Sequence, residues 1–310
     1  QTPSPWSCTG VVGLNASATR LVNWAAGGNN NVNGVAFGKV RLLYNENNLS
    51  WETNLNLEYG LSYIDQKNDP FQKSSDVIDF KTKFGWQFHK AWYLTAAAGF
   101  QSQFAYGRAY DGTEADDPII SKFLSPSYTD ISVGIDWKPN SIFSLYLSPV
   151  AGKITTAYVG DAVEKANPGL REQMQEKYGT WAYVKDSNEK KYTNCKAELG
   201  LNFKGSINYT YKDLKIITTL GLFTPYAWDK IEVLDAEGKF VGYRDNNRRF
   251  GNFDVDWDAA ISYQFLKCLN VTLSTSLKYY NGVKIANADG VLAERVQFKG
   301  ILGLGVGYSF

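Results

Sequence analysis

Three carboxylates stand at alternate positions in the stretch 252–265: Asp254, Asp256 and Asp258. In an extended strand, side chains two residues apart share a face and lie roughly 7 Å apart, so these three repel one another unless cations answer them. If this stretch pairs with 269–280 through a tight turn at Lys267 and Cys268, Asp256 falls opposite Lys278. Carrying the register through a second turn at Asp289 and Gly290 puts Lys299 opposite Lys278, with Arg295 among the inward charges. Three readings of this charge set stay open: a lattice of ion pairs, a constriction that attracts cations, and a Ca²⁺ site. The lattice needs no ligand, and no metal or cofactor is expected.

Other chemistry finds little support. The one histidine, His89, sits beside Lys90 in a turn with no nucleophile near it, so no catalytic residue is assigned and the chain is not read as an enzyme. Asp111, Glu114, Asp116 and Asp117 lack the spacing of a calcium-binding loop. The three cysteines Cys8, Cys195 and Cys268 show no metal-ligand spacing. Cys8 and Cys268 fall on the same side of the layout below, where a disulfide and free thiols are both open. A net charge of +1 with dispersed Lys and Arg offers no footprint for nucleic acid.

The elements that must carry these residues are strands. With 9 Trp, 20 Tyr and 28 Gly against one Met, the 310-residue chain has a β composition, and no apolar run reaches the ~20 residues of a spanning helix. A mean hydropathy of -0.31 still admits a membrane barrel, because there only alternate residues meet lipid. Alternating segments recur at 9–19, 32–44, 51–63, 76–88, 91–104, 127–138, 141–155, 193–204, 214–223, 252–265, 269–280 and 296–310. The third puts Trp51, Leu55, Leu57 and Tyr59 on one face, and Glu52, Asn54, Asn56 and Glu58 on the other. Short connections alternate with long ones, the periplasmic and extracellular asymmetry of an outer-membrane barrel.

The expectation is therefore all-β: one domain, 1–310, forming a transmembrane antiparallel up-and-down barrel of about twelve strands with both termini periplasmic and long extracellular loops. Residues 1–8 are read as a periplasmic N-terminal segment of a mature form whose signal peptide has been removed, and 159–192 and 225–251 as long structured loops. Asn167, Pro168 and Gly179 bracket a capped helix with Leu170, Met174 and Tyr178 on one face. Two hairpins are expected, at 231–243 and 283–293. Aromatics gather near the short turns, and Trp51, Trp86, Trp92, Trp137, Phe143, Tyr308 and Phe310 are assigned to an interfacial girdle. The glycines Gly303, Gly305 and Gly307 face inward and leave room.

The segments LVNWAAGGNNN (21–31), SWETNLNLEYG (50–60), SSDVIDFKTKFG (74–85), AWYLTAAAGFQSQFAYG (91–107), FLSPSYTDISVGIDWKP (123–139), LYLSPVAGKIT (145–155) and VQFKGILGLGVGYSF (296–310) resemble an outer-membrane barrel family of Bacteroidota catalogued only as a domain of unknown function. The last segment also resembles the C-terminal signal of bacterial barrels, with Tyr308 and Phe310 as its assembly residues. These resemblances imply a place in the bacterial outer membrane, lipid as surroundings and the barrel-assembly machinery as a partner during biogenesis. They supply no reaction. Two roles are open: a narrow porin-like channel for small hydrophilic solutes or ions, and a closed barrel acting as accessory subunit of a larger outer-membrane complex.

Overall fold

Strict alternation over a dozen segments leaves each strand one apolar and one polar face, and closing the sheet on itself is the arrangement that leaves no bare edge. The computed structural model describes residues 4–19, 31–65, 70–108, 119–184, 189–227, 230–245, 249–266, 269–281, 284–286 and 292–309. In chain order the strands are β1 (Trp6–Thr19), β2 (Asn31–Glu46), β3 (Leu49–Ile64), β4 (Phe71–His89), β5 (Trp92–Ser102), β6 (Gly107–Arg108), β7 (Ile119–Ser121), β8 (Ser127–Trp137) and β9 (Phe143–Thr156). Two helices follow, α1 (Asp161–Ala166) and α2 (Leu170–Tyr178). The chain continues through β10 (Trp181–Tyr183), β11 (Lys190–Tyr192), β12 (Cys195–Tyr211), β13 (Leu214–Pro225), β14 (Lys230–Leu234) and β15 (Phe240–Asp245). It ends with β16 (Asp254–Leu266), β17 (Leu269–Tyr279), β18 (Lys284–Ala286), β19 (Leu292–Glu294) and β20 (Gln297–Ser309).

All twelve alternating segments become wall. The closed barrel runs β1-β2-β3-β4-β5-β8-β9-β12-β13-β16-β17-β20, every neighbouring pair antiparallel. Two strands run five or more residues past the alternating segments at one end: β4 begins at Phe71, and β12 continues to Tyr211 before turning at Lys212. The other eight strands form four two-stranded ribbons beyond the long-loop end. One of them, β14–β15, turns where Asp235 Oδ1 accepts from the backbone N–H groups of Glu237 and Lys239 and Gly238 takes a φ of 80°. The tip of β18–β19, at Asp289 and Gly290, lies outside the described residues.

The apolar face points out. Leu14, Tyr59, Phe84, Leu147, Ile261 and Phe298 are all exposed, an apolar girth that water would not tolerate and hydrocarbon would. The packed apolar core lies instead at the long-loop end, where Ile119, Ala157, Val159, Leu170 and Met174 bury one another beside Val163 and Tyr178. Leu170, Met174 and Tyr178 thus share the face expected of them, and Gly179 closes α2 in the left-handed region at φ 70°. The start of α2 differs from expectation. Asn167 ends α1, Gly169 is the N-cap of α2, and the Glu164 carboxylate accepts from the N–H groups of Gly169 and Arg171.

Two irregularities decide which side chains reach the lumen. Pro149 has no N–H to give, and the β9 ladder takes one extra residue there: Ile135 pairs with Leu147 but Val133 with Val150. Beyond this bulge the faces exchange, so Val150 points out while Ala151 and Lys153 point in. The seam is the second. Among the described residues β1 and β20 share five register pairs, Val11↔Ser309 to Asn15↔Gly305, against ten or more for every other neighbouring pair. Gly13 lies within the seam because a Cβ there would meet Val306 O at 2.5 Å and the Phe37 ring at 2.7 Å.

Candidate functional site: the lumen

Inward charges gather at two levels. Toward the short turns, Asp136 is 0% exposed and holds Lys83 at 2.5 Å and Lys138 at 3.2 Å, while Ser144 Oγ donates to its Oδ1 at 2.8 Å. The Lys83 contact crosses the inside of β5. Around it Thr95, Ser132, Tyr146 and Ser148 are buried, so this part of the β5–β8–β9 wall is packed. Tyr146 donates to Ser132 Oγ at 2.9 Å, and Lys83 Nζ lies 5.0 Å from the Tyr146 ring centroid.

Toward the long loops the acidic ladder appears as expected, and Asp256 pairs in register with Lys278, their side chains 3.1 Å apart. Tyr280 donates to the same Asp256 oxygen at 2.6 Å. Asp254, 2% exposed, is held by Lys153 Nζ at 3.1 Å and by the Asn281 N–H at 3.0 Å. Lys153 belongs to β9 and Asp254 to β16, so this ion pair spans the inner faces of β12 and β13. Its ammonium also lies 4.9 Å from the Tyr280 ring centroid and 5.6 Å from that of Phe223. Asp258 is exposed to the lumen between Thr219 and Ser276.

Lys299 corrects one expectation. It stands opposite Ser276, and Lys278 faces Gln297. The reason is the distal ribbon: Lys284 pairs with Glu294, so five residues separate the two ladders on one side and two on the other, and the register slips between them. Arg295 falls in that connection, outside the barrel ladder. Room at the glycines is also uneven. A Cβ on Gly303 would meet only Thr272 O, at 4.0 Å, whereas one on Gly305 would meet Asn15 Oδ1 at 2.6 Å and Asn270 Oδ1 at 2.9 Å.

Lys153 is the residue that sequence reading missed. Counted by parity from the outward Leu145 and Leu147 it belongs to the lipid face, and only the bulge brings it inside. Pro149 was the visible signal.

On the outer surface, aromatic rings meet around the short-turn end: Trp6 with Tyr44 at 5.0 Å and Trp51 at 6.0 Å, Trp86 with Phe88 at 6.4 Å, and Trp137 with Trp92 at 6.1 Å and Phe143 at 5.8 Å. Trp6 had not been assigned there. The side chain of Tyr308 and all of Phe310 lie outside the described residues. A second, partial belt, unanticipated, lies toward the long-loop end, with Tyr63 against Phe71 at 5.1 Å and Tyr226 against Phe250 at 5.7 Å. Trp51 and Tyr63 stand twelve residues apart on β3. At ~3.3 Å per residue and a tilt of ~40°, that places the belts about 30 Å apart, the scale of a hydrocarbon layer.

His89 closes β4 as an exposed residue, and Lys90 follows in the turn at φ 23°. Cys8 and Cys195 are free thiols; Cys268 and the acidic stretch from Asp111 to Asp117 lie outside the described residues. Among the described residues no group of three or more His, Cys, Asp or Glu is arranged to hold a metal ion. In α2, burial pushes the Tyr178 phenol up and the Lys177 ammonium down from their ordinary values.

Residues 16–107 match the family described as "Protein of unknown function (DUF3078)". No curated protein matches the chain. Among solved structures, an outer-membrane channel from Pseudomonas putida F1 is 9% identical with a TM-score of 0.42, over 100% of this chain and 97% of that one. The translocator domain of the autotransporter NalP from Neisseria meningitidis is 10% identical with a TM-score of 0.37, over 98% and 88%. The NanC porin is 9% identical with a TM-score of 0.38, over 96% and 97%.

Proposed function

We propose that the chain is an integral barrel of the bacterial outer membrane, short turns toward the periplasm and long loops outward, which passes small hydrophilic solutes or ions through a narrow lumen. The observation that carries this reading is a wet wall. Side chains of Arg41 near the short turns (48% exposed), Lys81 in the middle of β4 (49%) and Asp256 toward the loops (42%) are all accessible from within, although Asp136 and Asp254 are sealed. Water thus reaches charged groups along the height of the β16–β17–β20–β1–β4 side, while the β5–β8–β9 side is packed. The passage is eccentric and narrow.

The barrel-assembly machinery, reading Tyr308 and Phe310, is part of the same proposal. Packing on the β5–β8–β9 wall favours the second reading, a closed barrel serving as accessory subunit of an outer-membrane complex. Planar bilayers separate the two. Reconstituted protein is expected to give discrete conductance steps, and Asp256→Ala, which leaves Lys278 without its carboxylate, to shift permeability toward anions. A silent membrane, with folding verified by heat-modifiable gel mobility, would reject the open channel and favour the accessory role.

A further inference from the structure

Lys153 changes what the acidic ladder can do. A row of three carboxylates facing an aqueous lumen concentrates cations, and the field falls only when each charge is answered at close range. Asp254 is answered by Lys153 at 3.1 Å and Asp256 by Lys278 at 3.1 Å. Both lysines approach from within the lumen, one from β9 and one from β17, and Tyr280 joins the two pairs: its hydroxyl donates to Asp256 while its ring lies under Lys153. The result is a rung across the loop end of the barrel in which the two outermost ladder charges cancel.

We propose that Lys153 is a specificity-determining residue, that the Lys153–Asp254 pair with Tyr280 and the Asp256–Lys278 pair forms the constriction, and that this charge-balanced rung admits small uncharged or zwitterionic polar solutes without strong preference for either sign of ion. This rests on the channel reading and adds to it the chemical class of solute. The ladder read alone would select cations. The rung reads instead as alternating donors and acceptors, the surface a hydroxylated or zwitterionic molecule can follow without losing its hydrogen bonds.

The test is the reversal potential of single channels in a potassium chloride gradient. Wild-type channels are expected near zero. Lys153→Gln, which leaves Asp254 without its lysine, is expected to shift permeability toward potassium, and Asp254→Asn toward chloride; a change of one unit charge about 4 Å from a watery path is worth roughly fivefold in local ion concentration. The swapped pair Lys153→Asp with Asp254→Lys restores the wild-type value, which guards against variants that merely fold badly. Wild-type channels selective beyond that fivefold for one sign overturn the proposal, and so do conducting variants with unchanged reversal potentials, since the narrow point then lies elsewhere. A silent wild type removes the channel reading itself, and this proposal falls with it.

Discussion

Asp136 is the residue on which the packed half of the lumen depends. Fully buried, it balances Lys83 and Lys138 at once, and both lysine side chains are partly exposed, so removing it leaves two neighbouring ammonium groups without their carboxylate. Asp136→Ala is expected to cost about 1.5–3 kcal/mol, measured as a lower urea midpoint for loss of the compact gel band. Arg41 and Glu52, paired at 2.8 Å but half open to water, form the contrast: Glu52→Gln should cost less than about 1 kcal/mol in the same assay. How far such pairs could be read in advance depended on what lies between the partners. Asp256 and Lys278 lie on consecutive strands whose near ends pair at Leu266 and Leu269, and they meet as expected although the ladder takes one extra residue between Gln264 and Leu266. Lys299 is reached through a ribbon with its own register, and Lys153 through a bulge, so counting residues failed at both.

Turns and caps show the same division between local and distant causes. Lys212 opens the β12–β13 turn at φ 51°, a left-handed conformation that costs a side chain with a Cβ about 1–2 kcal/mol. Lys212→Gly is expected to raise the unfolding midpoint by recovering roughly 1 kcal/mol of that. In the cap, Met174 is fully buried among Ile119, Val159 and Leu170, and Met174→Ala is expected to cost that module about 2–5 kcal/mol. The readout is faster proteolytic cutting of 161–184 with the barrel's heat-modifiable band unchanged. The spacing of Leu170, Met174 and Tyr178 announced the face of α2, since one turn sets it. Its N-terminus did not announce itself, because the capping carboxylate comes from Glu164 on a six-residue helix with no apolar stripe of its own.

For the whole molecule, alternation was enough to yield twelve strands and, apart from the loop-side half of β9 beyond its bulge, their faces, because a barrel in lipid has a single way to satisfy both. That logic predicts a sharp sidedness. Ile261→Arg, on the outer face near mid-strand, is expected to cost about 2–4 kcal/mol, whereas Asp258→Asn, facing the lumen, should leave the urea midpoint within roughly 0.5 kcal/mol. The seam was not legible, since no local pattern marks how far two strands from opposite ends of the chain will pair. Its brevity bears on the order in which the wall is assembled. Eleven of the twelve pairings join strands near in sequence, but the five pairs between β1 and β20 close a loop of almost the entire chain and cannot repay that entropy until the others exist. The twelfth joint is therefore the kinetic last step. Just before it the chain is a nearly finished sheet with two bare margins, and the time spent in that state, more than the strength of any hairpin, sets the window in which assembly can go astray.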